Sequence, residues 1–244
     1  MRRTLTLAIA LTLLALVPGL AADKFPAAGG DVEITPIVHS SVQVEHGGKV
    51  IQVDPWRPGD YATAKPADLI LVTDIQNDHL DVETIGKIRK SGAPVLIPAA
   101  AKDKFPEGTV IANGETKTVA GIKVEAVASY DLLPGDPFHP KGRANGYIVT
   151  LGGQRVYFAG VSECTPEMKA LKNIDVAFVS VYLPNERMTP TAAADCMKTF
   201  RPKVVYPYHF RTGKIQLFKD ALKGEPIDVR LPEWYPGGKG LGAR

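Results

Sequence analysis

Asp74, Gln76, Asp78 and His79 fall together in one short stretch, LVTDIQNDHLD, running from Leu71 to Asp81. An apolar strand leads into it and a helix can start where it ends. Loops at strand ends collect ligating and catalytic groups, because the strand fixes the backbone while the loop side chains converge. Carboxylate and imidazole together suit zinc or a similar divalent ion. The chain has five histidines. His46 falls in a glycine turn and reads as solvated. His79, His139 and His209 each lie in a loop after or between strands, as a site shared at the edge of two sheets requires. A single histidine is usually a hydrogen-bonded structural group. Three in such loops, one of them beside an aspartate, make a shared site a serious alternative.

The elements that would position these side chains can be read from periodicity. VEITPIVHSSVQVEHGGKVIQVDPW alternates apolar and polar residues, with Gly47-Gly48 closing a hairpin. Asp68–Val72, DLILV, is a continuous apolar run, as expected of a strand buried on both faces. Asp81 can cap a helix from Val82 to about Lys90, with Gly92 ending it. APVLIP, TKTV and IKVEAV read as further strands, and Ser129–Ala144 as a long Pro-, Gly- and Asp-rich loop. YIVTLGGQRVYFAG is a hairpin turning at Gly152-Gly153. Thr165-Pro166 and Thr189-Pro190 each open a helix with a cap and a proline in the first turn. DVAFVSV and KVVYP are strands, the second leading directly to Tyr208-His209; KIQLFKDALKG is an amphipathic helix and IDVRL a last strand.

The first residues, MRRTLTLAIALTLLALVPGLAAD, have a basic start, an apolar run from Leu5 to Val17 and small residues after Pro18. That is the pattern of a secretory signal peptide, residues 1–22, cut after Ala21 or Ala22. The alternative is an uncleaved N-terminal anchor, for which the run is short. Residues 23–244 then form one domain, periplasmic or secreted, with no integral membrane span left after cleavage. The formal charge of +3 shows no basic block, so nothing calls for nucleic acid. Export would allow a disulfide between Cys164 and Cys196. Two buried free thiols is the reading favoured here.

The blocks ITPIVHSSVQVEHGGKVIQVDPW, DLILVTDIQNDHLD, FHPKGRANGYIVTLGGQRVYFAGVSECTPEM, DVAFVSV and VVYPYHF, in that order, resemble the metallo-β-lactamase-fold hydrolases. The branch they are most similar to contains the ascorbate-phosphate lactonase-like proteins. The resemblance implies an α+β fold, a four-layer αβ/βα sandwich, with a dinuclear zinc site between the sheets built from H-x-H-x-D-H, two further histidines and a bridging aspartate. Asp74 and Gln76 stand at the first two histidine positions, and an amide oxygen is a poorer zinc ligand than imidazole. Asp78, His79, His139 and His209 match the remaining motif positions. Val161, in AGVS, replaces the bridging aspartate, and Glu163 nearby is not assumed to rescue it.

The ligand set implied is therefore Asp78, His79 and His209 for one ion, with His139, and more weakly Gln76, left from the other position. One zinc is expected, with iron(II) or no metal as alternatives. The reading is an exported hydrolase acting on an ester, lactone or amide of a small molecule. In it Asp78 serves chemistry as well as the metal, Asp74 acts as base or as partner of a histidine, and His139 orients substrate or donates a proton. The competing reading is a pseudoenzyme that binds a ligand or a metal; a third has Asp78 and His79 only bracing the loop. His39 is expected behind the ligands and Asp54-Pro55-Trp56 as a bracing turn; Lys141 and Arg143 could hold an anionic substrate at the mouth, with a solvated loop the more common explanation. Cys164 is left out of the ligand set.

Overall fold

The computed structural model describes residues 22–134, 137–181, 187–210 and 214–235. The N-terminal leader predicted for residues 1–22 falls almost wholly outside them. Two seven-stranded sheets are described. The first runs in chain order through β1 (Asp23–Phe25), β2 (Val32–Val38), β3 (Ser41–His46), β4 (Lys49–Val53), β5 (Leu69–Leu71), β6 (Val95–Ile97) and β7 (Thr109–Val110). The second runs through β8 (Thr116–Val119), β9 (Ile122–Ser129), β10 (Ala144–Leu151), β11 (Gln154–Phe158), β12 (Val176–Ser180), β13 (Val204–Tyr208) and β14 (Asp228–Val229). Each sheet has the same plan: β1–β4 and β8–β11 pair antiparallel, then β4–β7 and β11–β14 pair parallel.

The alternation of side chains along a strand explains the layers. Leu69 and Leu71 enter the core between the sheets, while Ile70 faces outward against α1 (Val82–Ile88), alongside Ile85 and Ile88. On the other side Val176 and Phe178 face the central core. Ala177 and Val179 face α3 (Pro190–Phe200). Completing that outer layer, α2 (Pro166–Lys169) and α4 (Gln216–Ala221) bury Met168 and Phe218 against the same sheet. The order helix, sheet, sheet, helix is the four-layer αβ/βα sandwich, and it explains why these strands are apolar at consecutive positions. Each such fully buried Leu, Ile or Phe contributes about 1.5–3 kcal/mol. The three-residue β1 has no pattern long enough to be read from sequence; its register against β2 places it.

Helix α1 shows the local chemistry that ends the metal-like loop. Asp81 accepts from the Thr84 amide at 3.3 Å as the N-cap. Its carboxylate also takes a fork from Arg57, Nε at 2.8 Å and Nη2 at 3.1 Å. Burial raises the Asp81 pKa, but the Arg57 hydrogen bond and the backbone donors outweigh it and bring it down to about 2. Helices α2 and α3 start at Thr165 and Thr189 caps with proline next, as the sequence predicts.

The cysteines correct the favoured reading: Cys164 and Cys196 form a disulfide, with Cα atoms 5.8 Å apart. It ties the segment after β11 to α3 across 32 residues of chain. Among the described residues no helix is long and apolar enough to cross a membrane.

Two measurements test this account. Unfolding of Cys164→Ala/Cys196→Ala in urea should show a loss of about 3–4 kcal/mol, the loop-closure value for such a span. Asp81→Asn keeps a capping oxygen but loses the charge paired with Arg57, and should cost up to about 1 kcal/mol near neutral pH. The folded Asp81 pKa lies below its unfolded value of about 3.9, so its stabilisation is present above that value and is lost as pH falls through about 2. The gap between wild type and Asp81→Asn should therefore narrow steadily on acidification through this window.

Candidate metal centre

The candidate ligands gather where strands end. His39 lies in the turn between β2 and β3, Asp54 follows β4, Asp74 to His79 follow β5, and His209 follows β13. His39, Asp54 and His209 all have left-handed backbones, with φ of 57°, 43° and 57°. Such conformations are unfavourable for residues with a Cβ, and they cluster where surroundings hold a functional geometry in place. The His209 amide donates to the His39 carbonyl at 3.0 Å, which locks two of these turns together across the sheets.

Hydrogen bonding decides which ring nitrogen each histidine turns inward. Asp54 is fully buried, and its carboxylate accepts from the Thr73 amide at 2.7 Å and the Thr73 hydroxyl at 2.6 Å. His79 Nδ1 lies 2.7 Å from the same carboxylate, so it carries the proton and Nε2 faces the centre. Tyr235 donates its hydroxyl proton to the Phe210 carbonyl. It must then accept from His39 Nδ1, 2.7 Å away, which turns His39 Nε2 inward as well. His39 Nε2 meets Asp78 Oδ2 at 3.4 Å, and His209 Nε2 lies 3.9 Å from that oxygen. His209 Nε2 is 3.1 Å from His79 Nε2.

This donor set fits a metal ion. His39, Asp78 and His209 each offer an atom within 4.8 Å of the others. Neighbouring ligands of a tetrahedral zinc stand roughly 3.3 Å apart, and the spacings above bracket that value. With Nδ1 protonated on His39 and His79, their inward nitrogens offer lone pairs to a carboxylate and to another imidazole. Such pairs repel unless a cation or a proton lies between them. Without an ion, protons fill the gaps. Burial opposes charge on His79, but Asp54 beside it prevails and lifts its pKa to about 9. Burial, with the charges of His39 and His79, pushes His209 well down. Burial opposes the charge on Asp78 too, yet His39 and the neighbouring rings hold its carboxyl well below the usual range.

The sequence-predicted residues fall into two groups. Asp78, His79 and His209 meet, and His39 joins them in front rather than behind. Asp54 is more than part of a bracing turn, since it fixes His79. Asp74, Gln76 and His139 meet in a second group: His139 Nε2 is 3.3 Å from both Asp74 Oδ2 and Gln76 Nε2, and its Nδ1 is 3.2 Å from Asp131. Asp131 pairs in turn with Arg187, an ion pair that sequence offered no signal for. Val161 is buried among apolar side chains including Met168. Glu163 turns to the Leu132 amide at 2.6 Å and to Arg187 at 3.5 Å, and bridges nothing. Lys141 is solvated and pairs with Glu167, whereas Arg143 is drawn in to Asp74 and is 17% exposed. His46 stays in the β3–β4 hairpin, its Nδ1 3.5 Å from the Asp31 carbonyl.

The profile of the beta-lactamase superfamily domain matches residues 33–209. The chain belongs to the beta-lactamase superfamily. A UPF0173 metal-dependent hydrolase of Aeropyrum pernix is 31% identical over 232 residues, covering 84% of this chain and 95% of that relative. One of Symbiobacterium thermophilum is 29% identical and covers 84% and 99%. Among solved structures, a candidate metal-dependent hydrolase of Parabacteroides distasonis is 42% identical with a TM-score of 0.84, covering 88% of this chain and 100% of that one. This superfamily member is thus a relative of metal-dependent hydrolases along almost its whole described length.

The Asp54 carboxylate orients the His79 ring. Asp54→Asn should weaken zinc affinity by roughly 10–100-fold, measured by competition with a chromophoric chelator. An unchanged affinity would mean that His79 is not a ligand.

Proposed function

We propose that the protein is a hydrolase that works with one divalent ion, most readily zinc, held by His39, Asp78 and His209 with His79 as a further ligand. Iron(II) suits the same nitrogen and oxygen donors. The substrate is an ester, lactone or amide of a small molecule, and the protein acts after export, a reading supported by the leader pattern of residues 1–22 and by the disulfide. The observation that carries this reading is the convergence of His39 Nε2 and His209 Nε2 on Asp78, with His79 Nε2 against His209.

A bound ion of this kind acidifies water and polarises a carbonyl oxygen. The chain's own residues do the rest. Asp54 and Tyr235 hold two rings in the tautomer that leaves Nε2 free. The Asp78 carboxylate faces the same space, where it can take a proton from a water molecule. His139 has a carboxylate against each ring nitrogen, Asp131 at Nδ1 and Asp74 at Nε2. From there it can orient a substrate or pass a proton to a leaving group. The exposed side chains of Leu132, Leu133 and Phe138, on the loop that carries His139, offer an apolar surface to a substrate.

Zinc-loaded, desalted protein should retain about one zinc per chain by elemental mass spectrometry, the occupancy expected of a single such centre. His209→Ala should lose it while remaining folded by circular dichroism. Ester and lactone hydrolysis should vanish on chelation and return with zinc. Zinc binding without hydrolysis of any ester, lactone or amide tried would favour the binding-module alternative; no zinc binding would remove the proposal.

A further inference from the structure

Gln76 and Val161 leave the second metal position implied by the resemblance short of ligands, and Arg143 is bonded to Asp74, one of the residues matching that position. Arg143, just before β10, donates from Nε to Asp74 Oδ1 at 3.1 Å and from Nη2 to Asp74 Oδ2 at 3.5 Å. Its Nη1 donates to the Phe138 carbonyl, and its guanidinium lies 5.3 Å from the centre of the Phe138 ring. Asp74 is fully buried, and its Oδ2 is also 3.3 Å from His139 Nε2. A buried carboxylate needs a countercharge. Here that countercharge is a guanidinium, which is always protonated.

We propose that Arg143 takes the place of a second metal ion and serves as a fixed cation that receives a carboxylate of the substrate. This rests on the single-ion reading of the neighbouring centre. A guanidinium has five N–H donors; the described acceptors use three, and two remain for a ligand. A carboxylate is the group whose geometry best matches paired guanidinium donors. Phe138, under the guanidinium, is 63% exposed and can cover the apolar part of the same molecule. The substrate class is therefore an ester or lactone that also carries a carboxylate.

Two readouts independent of turnover test this. The first is zinc stoichiometry in a background where the lost ligand is restored. Gln76→His alone should still hold about one zinc per chain, because the guanidinium excludes a second ion, whereas Gln76→His/Arg143→Ser should hold about two. The second is calorimetric titration of wild type and Arg143→Gln with hexanoate, using hexanamide as the neutral control. Hexanoate should bind wild type and bind Arg143→Gln at least about tenfold more weakly, the loss expected for a hydrogen bond to a charged group. Hexanamide should not distinguish the two proteins. If Arg143→Gln does not fold, Arg143→Lys, which keeps the charge and loses the fork, should show the same weakening. A second zinc in Gln76→His with Arg143 intact would overturn the proposal. So would hexanoate affinity that is absent in wild type or equal in the variant. Wild type that binds no zinc would instead remove the single-ion reading, and the hexanoate comparison on zinc-free protein would still decide the role of Arg143.

Discussion

The buried contact between Asp54 and His79 is the constraint on which the site depends. Both side chains are removed from water, and a carboxylate there is tolerable only because Thr73 and His79 satisfy it. The contact joins the end of β4 to the loop after β5, so two parallel neighbours in the first sheet must end in register before His79 can face inward. The Ser41 hydroxyl donates to the Asp54 carbonyl at 2.6 Å and ties in the start of β3. The left-handed backbone of Asp54 costs energy, which the surrounding bonds offset. Stability and function are therefore joined at one carboxylate: what holds the strand ends together also selects the tautomer of a ligand.

The second group of residues makes a consistent set of departures. Once Arg143 neutralises Asp74, an aspartate at position 161 would be a buried charge among Met168 and its apolar neighbours, without a cation to share. Valine there is the residue that the apolar cluster accepts. Gln76, an amide, adds no charge and meets His139 by hydrogen bonding. The three residues fit each other better than any one of them fits a two-ion centre. On the proposal above they belong to a centre of one ion and a guanidinium.

Much of the sandwich was legible because both faces of its central strands are buried. DLILV and DVAFVSV are unbroken apolar runs for that reason, and the Thr-Pro pairs marked the starts of α2 and α3 to the residue. The loop bearing Asp74, Gln76, Asp78 and His79 was legible as chemistry because its groups are neighbours in sequence. What was not legible depends on distance along the chain. His39 becomes a candidate ligand only where the fold brings Asp78 and His209 to it, and Arg143 leaves the solvent only because Asp74 waits across 69 residues. The disulfide was hidden similarly, since helix starts alone do not say whether two cysteines face one another.

The contact between His39 and Tyr235 spans 196 residues. During synthesis the first of these rings is made long before the hydroxyl that sets its tautomer. Until then His39 can present either nitrogen, and the half of the sandwich already made offers an ion no defined coordination. The defined tautomer of this ring thus belongs to the finished chain.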